Sequence, residues 1–110
     1  MAKKPRPYKL TERHATVRSA LRETLREGPL TARDLSARVG IGEKEVFGHL
    51  EHVARSLRHS SERLRVEPAQ CLACGFVFKE RTRLSKPSKC PACRSQRMDP
   101  PRFVILTDGR

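Results

Sequence analysis

Apolar residues recur at helical spacing in the first quarter of the chain. Between Thr11 and Glu27 they return every three or four residues, with arginines on the other faces, which predicts an amphipathic helix with one buried stripe. The stripe consists of Val17, Ala20, Leu21, Thr24 and Leu25. Gly28-Pro29 follows directly and is expected to end the helix.

A second, shorter helix is predicted from its end signals. Thr31 is a suitable N-cap, and Asp34 stands three residues later, where it can complete a capping box. Leu35 and Val39 are expected to face the core. Ala37 is small enough for a close approach of two helices, and Gly40 ends the segment.

The third segment has the clearest helical pattern and begins after the turn Gly40-Ile41-Gly42. Glu43 and Glu45 lie in its first turn, where the helix dipole favours negative charge. Its apolar positions, expected to be buried, are Val46, Phe47, Leu50, Val53, Ala54 and Leu57.

Strands are predicted in the second half of the chain. Leu64 to Pro68 alternates apolar and polar residues, and 103–106 forms an apolar run after the breaker Pro100-Pro101. Residues 76–78 and 82–84 are expected to form a short hairpin. Two helices joined by a glycine-containing turn, with a helix before and strands after, predict an α+β winged helix-turn-helix with three helices and wing strands. A generic three-helix bundle is the alternative.

Four cysteines form two C-x2-C pairs, Cys71 with Cys74 and Cys90 with Cys93. Two such turns supply the complete tetrahedral shell of one structural zinc ion. Gly75 follows the first pair, where the backbone must bend back toward sulfur. The pattern predicts a zinc ribbon between or beside the wing strands. Iron in the same four sulfurs remains possible.

Other uses of the cysteines fit less well. Disulfides require an oxidising compartment, but the chain shows no signal peptide or apolar span, so we expect a cytoplasmic protein that is not bound to a membrane. A redox dithiol usually appears as a single C-x-x-C, and buried free thiols are not expected in paired turns within so polar a segment.

The division expected from these patterns has four parts. Residues 1–10 form a basic, flexible arm, 11–68 the winged helix-turn-helix, 69–99 the zinc ribbon, and 100–110 a final strand that pairs with 64–68, followed by a tail.

Charge indicates a polyanionic partner, with double-stranded DNA the expected one. The net charge is +12, and basic residues outnumber acidic ones by eight to three in residues 1–30, seven to six in 31–68 and nine to three in 69–110. Candidate contacts lie in the arm, on the outward face of the third helix and in the ribbon. They are Lys3, Lys4, Arg6, Lys9, Lys44, His52, Arg55, Lys79, Arg81, Arg83, Lys86 and Lys89. Glu43 and Glu45 weaken the start of the third helix as a surface for reading bases, which favours weak or non-specific binding.

The sequence predicts neither a second metal site formed by histidines nor a catalytic site. His49, His52 and His59 have spacings that a metal site would tolerate, but they are interpreted as exposed residues because no carboxylate or cysteine completes a site. A closed metal shell, with no phosphate loop and no nucleophile beside a base, predicts that the protein is not an enzyme. The sequence does not indicate an oligomeric state.

The chain resembles a family of small prokaryotic predicted transcriptional regulators that fuse a winged helix-turn-helix to a zinc ribbon. The resemblance rests on 30–57, Val66-Glu-Pro68, the first knuckle through Phe78, Cys90-Pro-x-Cys93 and Pro101-Arg-Phe103. It implies a DNA-binding regulator. The second knuckle is also similar to half of a rubredoxin site, except that Arg94 stands where rubredoxins usually have glycine.

Two other functions compete with DNA binding. A similar pairing of domains in the general transcription factor E suggests an adaptor that docks on RNA polymerase or another protein of the transcription machinery. Electron transfer, as in rubredoxins, is a third possibility that the net charge of +12 does not favour.

Overall fold

The computed structural model describes residues 10–79, 84 and 86–107, and side chains from residue 15 onward. The predicted basic arm and part of the ribbon loop therefore lie outside the described residues. The elements are α1 (Leu10–Arg26), β1 (Leu30–Thr31), α2 (Ala32–Val39), α3 (Glu43–Ser56), β2 (Glu62–Glu67), β3 (Gln70–Cys71), β4 (Met98–Asp99) and β5 (Arg102–Thr107). Within the described part of the chain, no helix has the length and apolar character needed to cross a membrane.

Helix α2 begins and ends as its sequence predicts. The Thr31 N–H donates to Asp34 Oδ2 and the Asp34 N–H donates to Thr31 Oγ1, both at 3.1 Å, which forms the capping box. Hydrogen bonding from the Thr31 backbone and side chain lowers the pKa of Asp34. Gly40 ends the helix in the left-handed conformation, with φ 82°, and its N–H donates to the Ser36 carbonyl.

The main core lies between the three helices and one face of a sheet. Its buried members are Leu21, Leu25, Ala32, Leu35, Ile41, Val46, Leu50, Val53, Leu57, Phe103 and Ile105. Two expectations about alanines were wrong, because Ala37 and Ala54 are exposed. In α2 the buried small residue is Ala32, one turn before Leu35. In α3 Ala54 lies one residue, or about 100°, beyond the buried Val53 and so leaves the stripe.

The sheet has the strand order β1-β5-β2, and both strand pairs are antiparallel. Leu64 lies opposite Ile105, and Val66 lies opposite Phe103, so the two longer strands pair along their whole length. The sequence did not predict β1, which has only two residues. Arg26 Nε and Nη2 donate to Glu62 Oε2 and Oε1 at 2.6 and 2.9 Å, which joins the end of α1 to the start of β2.

Residues 68–101 leave β2 and return to β5, so the cysteine-containing segment is inserted between two paired strands. Within it β3 pairs with β4, and Val77 forms an isolated bridge with Gln70. The second strand of the expected hairpin, 82–84, lies mostly outside the described residues, so the pairing of 76–78 with 82–84 stays a prediction. Leu84 packs against the helical core.

Candidate metal centre

Two short turns with the same backbone hydrogen bonds hold the four cysteines. In the first turn the Gly75 N–H donates to the Cys71 carbonyl at 2.9 Å, and in the second the Arg94 N–H donates to the Cys90 carbonyl at 2.8 Å. The N–H of Cys71 donates to the Phe76 carbonyl at 2.8 Å, and that of Cys90 donates to the Ser95 carbonyl at 2.9 Å. The two knuckles are thus repeats of one local fold.

The residue after each second cysteine adopts the left-handed backbone conformation. Its φ is 83° at Gly75 and 67° at Arg94, and Arg94 is the one non-glycine residue of the described chain with positive φ. Arg94 therefore adopts the conformation that glycine normally supplies. The departure from the rubredoxin pattern changes the side chain and leaves the shape of the turn intact.

The four sulfur atoms form one cluster that joins the two turns. The Sγ of Cys71 lies 3.6 Å from that of Cys93, the Sγ of Cys74 lies 3.7 Å from that of Cys90, and all four sulfurs lie within 4.8 Å of one another. A zinc ion with four sulfurs at about 2.3 Å places them about 3.8 Å apart, whereas a disulfide needs about 2.05 Å. The geometry fits one tetrahedral ion and excludes disulfide bonds.

Each turn contributes one buried and one exposed sulfur ligand. Cys71 and Cys90 are 2% and 0% exposed and form a small core with Met98 and the half-buried Phe78, while Cys74 and Cys93 are exposed. This core is too small to hold the segment folded without further support. Binding of a structural zinc ion, at about 10–16 kcal/mol, supplies that support.

Backbone N–H groups donate hydrogen bonds to the two buried sulfurs. The Cys74 N–H donates to Cys71 Sγ at 3.4 Å, and the Ala92 N–H donates to Cys90 Sγ at 3.3 Å. The first of these bonds, with further hydrogen bonds from Ala73, Cys93 and Cys74, lowers the pKa of Cys71 to about 6. At Cys74 a hydrogen bond from the backbone N–H of Phe76 lowers the pKa. Partial desolvation of the sulfur and hydrogen bonding with the neighbouring thiols outweigh this effect and raise the pKa to about 12.

Comparison with known proteins places this centre in a family. A family model described as PF0610-like, N-terminal matches residues 16–65, and one described as the PF0610 rubredoxin-like zinc beta-ribbon domain matches residues 68–107. The solution NMR structure of protein PF0610 from Pyrococcus furiosus is 30% identical, with a TM-score of 0.72 over 96% of this chain and 98% of that chain. The chain belongs to the PF0610 family. No curated protein matches it.

Membership of the PF0610 family, together with the sulfur geometry, confirms the zinc ribbon and its single structural zinc. The ligands are the four cysteines named from their spacing. Among the described residues they are the one group of three or more potential ligands close enough to hold an ion.

Half of the candidate nucleic-acid contacts lie among the residues whose side chains the structure describes. Lys44, Arg55, Lys79, Lys86 and Lys89 are exposed, and His52 is half-buried. Lys3, Lys4, Arg6, Lys9, Arg81 and Arg83 lie outside the described residues. Lys86 lines a groove of 290 Å³ with Arg33 and Glu43, so one ribbon lysine does lie beside the start of α3.

The expectation that three histidines are exposed was wrong for His49. It is 7% exposed, and its Nδ1 accepts a hydrogen bond from Arg18 Nε at 3.2 Å. His49 lies about one turn after the buried Val46, on the side of α3 that packs against α1. Its spacing from Val46 and Val53 places it at the edge of the buried stripe, whereas the hydrogen bond depends on a residue of another helix.

Proposed function

We propose that the protein is a DNA-binding transcriptional regulator, a winged helix-turn-helix extended by its zinc ribbon. The order α1-β1-α2-α3-β2-β5 and the strand order β1-β5-β2 support the winged helix, because this fold places a helix-turn-helix before a two-stranded antiparallel wing. Helices α2 and α3 are joined by the short turn 40–42, as in a helix-turn-helix.

The insertion of the ribbon between β2 and β5 is the observation that carries this proposal. An ordinary wing ends in a short loop, whereas here the loop is a metal-held unit. The described ribbon presents Lys79, Lys86, Lys89, Arg94 and Arg97, all exposed. Such side chains hold phosphates and fix the position of a protein on DNA without reading its sequence.

Fluorescence anisotropy with labelled duplexes tests DNA binding. We expect the zinc-loaded protein to bind random-sequence duplexes at low salt and to release them as salt rises. A library of genomic fragments, selected on the protein and compared with random duplexes, tests for a preferred sequence. Failure to bind any duplex at low salt would overturn the proposal.

The surface of the first knuckle favours a second candidate function, an adaptor for RNA polymerase or another protein of the transcription machinery. Leu72 and Phe76 are 60% and 38% exposed, although both are large and apolar. Exposed apolar residues of this size are typical of protein interfaces. Capture of transcription proteins by the wild type, and their loss in a Leu72→Ser variant that still binds DNA, would support the adaptor.

A further inference from the structure

An arginine of α1 is fixed beside α3 by a histidine. Arg18 is half-buried, and its Nε donates to Nδ1 of the buried His49. This bond uses Nε, so the two terminal nitrogens of the guanidinium remain as donors for a ligand. A guanidinium held in this way loses less freedom when it binds a ligand than a side chain that moves freely in solvent.

Three more cationic or titratable side chains lie around the same junction. Arg22 follows Arg18 by one turn of α1, His52 follows His49 by one turn of α3, and Arg55 follows His52. Burial lowers the pKa of His52, and the positive charges of Arg18, Arg55 and Arg22 lower it further. We name these four residues, Arg18, Arg22, His52 and Arg55, the α1–α3 surface.

The arginines of this surface differ from the paired arginines of the fold. Arg26, Arg38 and Arg102 bind Glu62, Glu27 and Asp99. Within the described residues, Arg18, Arg22 and Arg55 form no ion pair with a carboxylate. The charge of Arg22 lowers the pKa of Glu62, but both Glu62 oxygens accept hydrogen bonds from Arg26. Glu51, one turn before Arg55, makes no ion pair with any residue that the structure describes.

We propose that the α1–α3 surface binds the phosphate oxyanions of a nucleic-acid backbone. Guanidinium groups suit this ligand because their parallel N–H donors match phosphate oxygens. The surface lies toward the C-terminal half of α3, away from Glu43 and Glu45, whose charges oppose phosphate at the N-terminal end. This inference rests on the proposed DNA binding and specifies where on the protein the DNA backbone is held.

Paired and unpaired arginines provide matched variants for the test. Arg22→Gln with Arg55→Gln removes two positive charges from the surface, and Arg26→Gln with Arg38→Gln removes two that already have carboxylate partners. We expect the first variant to bind duplex DNA about tenfold more weakly, with a salt-dependence slope smaller by about 1 for each arginine that contacts a phosphate. The second variant should keep the wild-type slope. Circular dichroism identifies any loss of fold.

A second probe, inorganic tripolyphosphate, tests phosphate binding at the α1–α3 surface independently of duplex binding. We expect inorganic tripolyphosphate to shift the NMR signals of His52 in the wild type and not in the Arg22/Arg55 variant. Equal weakening of DNA binding by both double variants, or unchanged His52 signals, would overturn the α1–α3 surface and leave DNA binding in place. Shifts at His52 without any duplex binding would overturn the DNA-binding proposal and retain a phosphate site.

Discussion

Gly28 lies directly against the backbone of Phe103. A Cβ atom added at position 28 would stand 2.6 Å from the Phe103 carbonyl oxygen, 3.1 Å from the Leu30 nitrogen and 3.2 Å from the Leu25 carbonyl oxygen. These are backbone atoms of β5, of β1 and of α1, so they cannot move aside independently. The absence of a side chain at Gly28 therefore allows α1 to end against the central strand of the sheet.

Gly28→Ala is expected to destabilise the protein by about 1–3 kcal/mol, because the new methyl group overlaps with backbone. Gly48→Ala is the matched control, since an added Cβ there meets no atom within 4 Å. Gly48 lies inside α3, where alanine is favoured, so this variant should gain about 1 kcal/mol. Chemical denaturation of both zinc-loaded variants measures the difference. Equal stabilities would contradict the close approach at Gly28.

Arg94→Gly is expected to stabilise the second knuckle by about 1 kcal/mol. The arginine has φ 67°, a conformation that costs a residue with a Cβ atom about that much and costs glycine little. Gly75→Ala should have the opposite effect in the first knuckle, where φ is 83°. Competition with a zinc chelator measures both, since a stabilised knuckle retains its ion at higher chelator concentrations. A less stable Arg94→Gly protein would indicate that the arginine side chain has contacts of its own.

Removal of zinc is expected to unfold residues 68–101. The small core around Cys71, Cys90 and Met98 cannot hold the ribbon without the ion. Elemental analysis should give one zinc per chain, with a colourless solution, because four-thiolate iron absorbs visible light. NMR spectra recorded during chelation should lose the dispersed signals of the ribbon. Retention of those signals in a metal-free protein would contradict the structural role of the ion.

Stability is expected to fall in acid partly through Glu62. Its hydrogen bonds from Arg26 lower its pKa, so the pair stabilises the folded state above the usual glutamate pKa of about 4.3. That contribution is lost as the pH falls through the lowered pKa of the folded protein. Glu62→Gln should therefore be less stable than the wild type at pH 7 and converge with it in acid.

The matched background for this comparison is Arg26→Gln. With Arg26 removed, Glu62→Gln should change the pH dependence of stability much less, because only the weaker charge effect of Arg22 on Glu62 remains. Urea unfolding from pH 7 to pH 3 provides the data, and a persistent difference in the Arg26→Gln background would assign the effect to another group.

The cysteine spacing was sufficient to predict the metal centre, because each C-x2-C turn is closed by hydrogen bonds among neighbours in sequence. The same holds for the capping box of Thr31 and Asp34. The hydrogen bond from Arg18 to His49 was not predictable, since Arg18 belongs to another helix. Gln70 as the partner of Val77 and the left-handed backbone of Arg94 are local features of the two knuckles, but the residue types did not reveal them, because arginine rarely adopts that conformation.

Phe103 and Ile105 complete the helical core, yet they follow the metal centre in the chain. The central strand of the sheet that covers the helices, β5, therefore follows the ribbon in the sequence. With zinc bound, the ribbon brings β5 back to β2 as a preformed connection. Without zinc, closing the same long loop as flexible chain costs about 3 kcal/mol. Metal supply can therefore govern how much of the whole protein is folded, including helices that never touch the ion.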